Sequence, residues 1–373
     1  MKKTLKIGFD AKRAFCNQRG LGNYSRNVIR ILSEQEREND YLLFTPEINK
    51  AINFPLSSQC RIINPSRIYR TFTSAWRTFG QCKEIRAEQL DIYHGLSHEL
   101  PYGIEKCNVR TVVTMHDVIF LKRPELYPFI DRLVYSKKFT RACKIADKIV
   151  AISQQTKNDL IEYLNIDARK IEVVYQGCHP DFKRRFDEAF KRGVRIKHDL
   201  PDQYLLIVCA IERRKNHELI LKAMQAGIPD IPLVIIGQPT AYKNELVSLI
   251  DRYKLEKKVI FRYPVETNDL PAIYQSAALF IYPSLYEGFG IPILEAQVSG
   301  VPVITSKGGC FEEAGGDAAC YVSNDVDELA VAIRRITENS ELAAQMAEKG
   351  RIHATLFSDE RIAQSLMAIY ENR

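Results

Sequence analysis

Thirteen short apolar runs recur along this chain between stretches of helical spacing, and they fall into two series. The first series is Leu5–Phe9, Tyr41–Phe44, Arg61–Ile63, Asp91–Tyr93, Arg110–Thr114, Lys148–Ile152 and Ile171–Val174. The second is Tyr204–Cys209, Leu233–Ile236, Val259–Phe261, Leu279–Tyr282, Val301–Thr305 and Ala319–Val322. Strand-length runs that alternate with helices predict parallel sheets covered on both faces, an α/β class. Between the series, Gly177-Cys178-His179-Pro180-Asp181-Phe182 opens a polar, basic segment reaching His198. Its composition predicts a domain boundary and hinge, with residues 1–180 forming one unit and 181–356 the other. Two helical runs, 340–355 and 359–372, close the chain. Ligands of such sheets bind at the carboxyl ends of the strands, and the distinctive residues fall there.

The second series holds the most specific of these strand ends, PSLYEGFGIPILEAQVSGVPVITS from Pro283 to Ser306. Gly288, Phe289 and Gly290 form a loop whose backbone can aim amide groups at a ligand. Pro292 suits a helix's first turn, where a missing N–H costs nothing. The helix is expected to turn Ile293, Leu294, Ala296 and Val298 inward. Glu295 is expected in its first turn, near the positive end of the dipole, where a phosphate is also favoured. Glu287 and Glu295 bracket the loop. An earlier strand end reads Glu212-Arg213-Arg214-Lys215-Asn216 before a helix, a natural clamp for a diphosphate.

This string, glutamate-Gly-Phe-Gly-x-Pro-x-Leu-glutamate-Ala on a strand-loop-helix, resembles the donor-binding signature of the retaining glycosyltransferases of group 1, also called family 4. The resemblance covers nearly the whole chain. It implies a GT-B fold, two Rossmann-like parallel-sheet domains facing each other across a cleft, with the C-terminal helix 357–373 packing back on the first domain. It further implies transfer of a hexosyl group, mannosyl or glucosyl, from a nucleotide-diphosphate sugar to a glycan or lipid-linked acceptor in bacterial surface polysaccharide synthesis. In that scheme Glu287 faces the donor sugar, Glu295 holds the ribose diol, and Arg214 and Lys215 grip the diphosphate with the Gly288–Gly290 amides. The leaving phosphate helps to deprotonate the acceptor, the metal is dispensable and no cofactor is needed. Pro264 to Leu270 resembles the loop that holds the nucleobase, whose identity is not readable.

The same resemblance reaches the first series. Gly20 and Gly22 match the family's G-x-G loop near the donor phosphates and the acceptor, and His116 matches a histidine that contacts the donor sugar. The chain also departs from the family. Cys209 and Ala210 stand where many members have glycine and arginine, and Phe311 stands where proline is common. A non-catalytic nucleotide-sugar binding protein or a sugar-nucleotide epimerase on the same fold is the alternative, and Glu287, Lys215 and His116 all being present favours the transferase.

Composition narrows the partners. Formal net charge is +7, and no nucleic-acid motif accompanies it. Anionic ligands or an anionic lipid surface are therefore expected and nucleic acid is not. Nine cysteines are scattered without a C-x-x-C pair and the first residues lack an apolar leader, so a cytoplasmic location is expected, with peripheral contact at the inner face of the membrane left open. His94 and His98 have the spacing of a metal pair, but Gly95 and Pro101 interrupt the helix this would need, and no metal site is expected. Tyr69, Phe72, Trp76 and Phe79 recur at helical spacing among Arg67, Arg70, Arg77, Lys83 and Arg86. Such a stripe is either core or a basic face lying on a membrane.

Overall fold

The computed structural model describes residues 3–65, 69 and 75–372. All thirteen strands form, in two fully parallel sheets. The chain divides into two compact units, Met1–Gly177 with Ser358–Arg373, and Cys178–Phe357.

In the first unit, strands β1 (Lys6–Asp10), β2 (Asp40–Phe44), β3 (Cys60–Ile63), β4 (Ile92–Gly95), β5 (Arg110–Met115), β6 (Lys148–Ala151) and β7 (Ile171–Val173) lie in the order β3-β2-β1-β4-β5-β6-β7. Phe9 of β1 pairs with Leu43 on one side and His94 on the other. The connections run outward in opposite directions from β1 and β4, so the sheet reverses its winding between them, and the loops there diverge to leave a crevice. Helices must cover both faces, and the strands are accordingly apolar along their length. Trp76 is wholly buried against Phe44 at 6.4 Å between ring centroids. Of the aromatic stripe in which it lies, Tyr69 packs against the core and Phe79 is exposed beside Tyr102. Trp76 therefore belongs to the core, while Arg67, Arg70 and Phe72 lie outside the described residues.

The last helix, Asp359–Glu371, packs on Gly20–Gln35 of this same unit. Asp359 pairs with Arg30 at 2.8 Å, and the Tyr370 hydroxyl meets His94 Nδ1 at 2.6 Å. The second unit repeats the arrangement with β8 (Leu205–Val208), β9 (Leu233–Ile236), β10 (Val259–Arg262), β11 (Leu279–Tyr282), β12 (Val303–Ser306) and β13 (Ala319–Val322), ordered β10-β9-β8-β11-β12-β13. Here the winding reverses between β8 and β11. Among the described residues no helix is long and apolar enough to cross a membrane.

Gly20, Leu21 and Gly22 are the first turn of the helix Gly20–Gln35, not a loop ahead of it. The two glycines have different reasons to be there. A Cβ on Gly22 would fall 1.8 Å from the Asn17 carbonyl oxygen, whereas one on Gly20 would meet nothing within 4 Å. The close approach at Gly22 brings Arg26 Nη1 onto the carbonyls of Ala14 and Asn17, at 2.7 and 2.8 Å. Gly22→Ala is expected to cost about 2 kcal/mol or more in urea unfolding, because backbone must move. Gly20→Ala is expected to be neutral or to stabilise by up to about 1 kcal/mol, since only helix propensity changes.

Candidate active site

Strands β8 and β11 are hydrogen-bonded neighbours, with Leu205 opposite Leu279 and Leu206 opposite Phe280. Their carboxyl ends therefore deliver two loops side by side. The loop after β8 tightens into a single turn at Arg213–Lys215, and Asn216 then takes a left-handed conformation (φ 57°) at the start of the helix His217–Gln225. The loop after β11 is laced onto it: the Leu285 amide donates to the Arg214 carbonyl at 2.8 Å, and Arg214 Nη1 donates to the Tyr286 carbonyl at 2.6 Å.

Glu287 is what the two loops enclose. Lys215 Nζ donates to its Oε1 at 2.5 Å and to the Tyr282 hydroxyl at 2.8 Å. Tyr282 and Ser284 donate to the same oxygen, at 3.0 and 2.5 Å. Arg214 Nη1 sits 2.7 Å from Oε2. Glu287 and Lys215 are only 8% and 9% exposed. Burial acts to raise the Glu287 carboxyl, but the charges of Lys215 and Arg214 and the donated hydrogen bonds outweigh it and hold the group at about 2. Burial likewise acts to lower Arg214, and Glu287 pushes it up instead. The site therefore holds a permanently ionised carboxylate whose oxygens face cations and hydroxyls.

Gly290 (φ 117°) turns the chain into the helix Ile291–Ser299, with Pro292 at its second position. Only glycine takes that angle without strain. Two expectations are corrected here. The helix's first turn contains no acid. Glu295 is the fifth helical residue, one turn in, because the helix begins at Ile291 and not beyond it. Val298 is half-buried while Gln297 is buried, its Nε2 donating to the Gly315 carbonyl at 2.7 Å. The inward stripe has rotated to reach the glycine turn at Gly315.

Glu295 lies apart from the Glu287 cluster and accepts from the Tyr274 hydroxyl at 2.9 Å. Burial raises its carboxyl to about 7, and the Tyr274 hydrogen bond offsets only part of that. Two glutamates in one motif thus have opposite characters, one ionised throughout the physiological range and one poised within it. Tyr274 packs on Phe280 at 5.2 Å, which stacks on Tyr282 at 6.0 Å, so an aromatic row links the partner of one glutamate to that of the other. Phe289 is buried against Phe357. After β12, Gly308 and Gly309 have positive φ, and the Gly308 amide donates to Glu312 Oε1 at 2.9 Å, so Glu312 braces this turn. Cys310, next in sequence, directs its thiol at the Glu287 carbonyl, 3.2 Å away.

The remaining site residues of the sequence belong to the first unit. His116 is buried, donating from Nε2 to the Leu96 carbonyl at 2.9 Å, with Tyr24 of the helix Gly20–Gln35 edge-on at 4.5 Å. Burial lowers His116 to about 4, keeping it neutral. His98 Nε2 accepts the His116 amide at 3.0 Å, and His94 bridges Tyr370 and Thr114, so both rings act as structural hydrogen-bonding groups. Gly20 and Gly22 sit in the same helix as Tyr24, two turns or less from it. Tyr282, Ser284 and Tyr274 escaped sequence reasoning. The i, i+2 spacing of two hydroxyls at the end of an extended segment was a usable signal for the first two; nothing in the sequence pointed to Tyr274.

Comparison with known proteins agrees in both units. The family model described as glycosyl transferases group 1 matches residues 191–353, and that of glycosyltransferase family 4 matches 19–182. The O-antigen chain mannosyltransferase B of Escherichia coli is 29% identical over 370 residues, 94% of this chain and 96% of that protein. The O-antigen chain mannosyltransferase RfbU of Salmonella typhimurium is 29% identical over 216 residues, covering 57% and 56%. The crystal structure of Anabaena Alr3699/HepE in complex with UDP and glucose aligns over 98% of this chain and 99% of that one, with a TM-score of 0.74 and 17% identity. The shared architecture is the two-domain α/β GT-B fold.

Removing the carboxylate strands two partly buried cations. Glu287→Gln is expected to lower stability by about 3 kcal/mol, as for other broken buried pairs. Chemical denaturation of wild type and variant at pH 7 measures it, and a change under about 0.5 kcal/mol would mean the cluster is solvated.

Proposed function

The chain belongs to the group 1 glycosyltransferases, and on that premise we propose that it is a retaining, metal-independent hexosyltransferase acting in bacterial surface polysaccharide synthesis. It takes a mannosyl group, with glucosyl the second choice, from a nucleotide-diphosphate sugar and delivers it to a hydroxyl of a glycan or lipid-linked acceptor. The mannosyl preference rests on the two O-antigen mannosyltransferases.

The observation that carries this reading is the clasp of Arg214 and Lys215 on Glu287. Departure of a nucleoside diphosphate leaves negative charge that must be met where it develops. Two cations at the end of β8, held in place by Glu287 from the end of β11, meet that charge with the protein's own side chains. The start of the helix His217–Gln225 adds its dipole. Glu287 cannot readily attack the sugar: with donors on both oxygens and a pKa of about 2 it is a weak nucleophile. Retention through a covalent glycosyl-enzyme, as in many glycosidases, is thus disfavoured. The proposal is instead that Glu287 accepts hydrogen bonds from the donor sugar, while the leaving phosphate takes the acceptor's proton on the same face of the ring. Glu295 receives the ribose diol.

Binding and turnover test this. In thermal shift and calorimetry with UDP and GDP, one nucleotide is expected to stabilise wild type selectively, and Lys215→Ala to abolish the effect. In transfer assays Lys215→Ala and Glu287→Ala are expected to lower kcat by about a hundredfold or more, and Glu295→Ala chiefly to raise KM. Binding without transfer would identify a binding protein, and absence of nucleotide binding would remove the donor-site assignment.

The Glu295 carboxyl gives a pH dependence. Ribose hydroxyls favour its ionised form, so binding lowers a pKa that stands at about 7 in the free protein. Affinity is therefore expected to rise with pH up to about 7 and level off above it, falling by up to about tenfold per pH unit below. Glu295→Gln should erase this slope while leaving the nucleotide phosphate's own titration near pH 6. Identical slopes in the two proteins would exclude the contact.

A further inference from the structure

The helix Phe129–Ile145 is buried in its unit only along its second half, and in its first half Tyr135 meets Phe120 edge-on at 5.8 Å between ring centroids. Its buried residues are Phe139, Ala142 and Cys143, and nothing from Lys122 to Lys138 is buried. The first half, about 13 Å of helix, and the turn before it present Leu126, Phe129, Ile130, Leu133, Val134 and Tyr135, between 38% and 73% exposed. Phe129, Ile130, Leu133 and Val134 share one stripe by their i, i+1, i+4, i+5 spacing. Among the described residues no other stretch of ten carries more than two exposed large apolar side chains. Single exposed apolar residues are ordinary, but a contiguous set marks a docking surface.

Charge identifies the partner. Arg123, Arg132, Lys137 and Lys138 flank the stripe in the chain, with Lys122 just before them over the Tyr163 ring, against Glu125 and Asp131. Arg123 and Lys138 stand 3.9 and 3.7 Å from Glu125 and Glu99, loose pairings that a phosphate can displace. Five cations and two acids leave residues 122–138 with a net charge of +3, and a second copy docking through the same face would set that charge against itself. A bilayer bearing anionic headgroups accepts both parts, acyl chains taking the apolar tips and headgroups the cations, whose alkyl stems lie along the boundary. We infer that residues 122–138 dock this protein peripherally on an anionic lipid surface, with the Phe129–Tyr135 turns inserted at the headgroup boundary. The inference does not rest on the transfer reaction, and its test needs no turnover.

The test is flotation of the full chain with vesicles of phosphatidylcholine containing phosphatidylglycerol, beside vesicles of phosphatidylcholine alone. Wild type is expected to float with the anionic vesicles. Ile130→Glu with Leu133→Glu should weaken this by about tenfold or more. Lys137→Glu with Lys138→Glu should weaken it several-fold, as should salt of about 0.5 M. Unchanged circular dichroism and Tm establish that the variants fold, and Phe129→Ser with Ile130→Ser gives a second, uncharged reading. Failure of wild type to float, or equal flotation of the Ile130/Leu133 variant, overturns the inference. Wild type that is dimeric in solution while that variant is monomeric assigns the face to a second copy, and overturns it equally.

Discussion

A carboxylate that is 8% exposed has to be neutralised by its neighbours, and in the second unit that requirement organises everything around Glu287. Lys215 and Arg214 come from the end of β8, Tyr282 and Ser284 from the end of β11, and the backbone bonds between the two loops hold the set in register. Neither loop could relax without leaving a charge buried and unpaired, a situation that costs several kcal/mol. The cluster is therefore both a structural staple and a stock of cations fixed in position. Preorganisation of that kind is what catalysis of a charge-separating step requires, because nothing has to reorient when the charge appears.

The topology explains why the staple stands where it does. In a parallel sheet the winding reverses at one pair of neighbouring strands, and the loops at their carboxyl ends diverge. Strands β8 and β11 are that pair, and the helices that follow both loops start there. The sheet of the first unit reverses between β1 and β4, where Asp10 ends β1 and His94 is the last residue but one of β4. There Asp10 pairs with Arg77 at 2.6 Å, an ionic contact like those of the second unit, while His94, Thr114, Tyr24 and Tyr370 make a neutral hydrogen-bonded network of their own.

Much of this was legible from residue order alone, for a physical reason. Parallel strands are buried on both faces, so runs such as Leu233–Ile236 announce themselves without any periodicity having to be resolved. Glycine and proline at Gly290 and Pro292 located the turn into the following helix because each is suited to one narrow backbone task. What could not be read depends on tertiary distance. Tyr274 is 21 residues from Glu295, and only packing brings its hydroxyl there. The start of the helix Ile291–Ser299 decides whether Glu295 lies in the first or second turn, and helix ends are the least determined feature of a sequence. Trp76 and Phe129 stand in stripes that look alike in sequence; Trp76 is core and Phe129 is open, a difference set by what the rest of the fold covers.

The return of the last helix to the first unit has a consequence for how the chain is made. The second unit is an insertion, entered after Gly177 and left before Ser358. At the usual pace of translation, roughly ten to forty seconds separate the two crossings. Throughout that interval the nascent first unit lacks the helix Asp359–Glu371. Arg30 is still without Asp359 and His94 without Tyr370, while the apolar face that Leu366 and Met367 will cover stays open. The second unit has all its strands before the first is finished. Order of synthesis and order of completion are thus reversed.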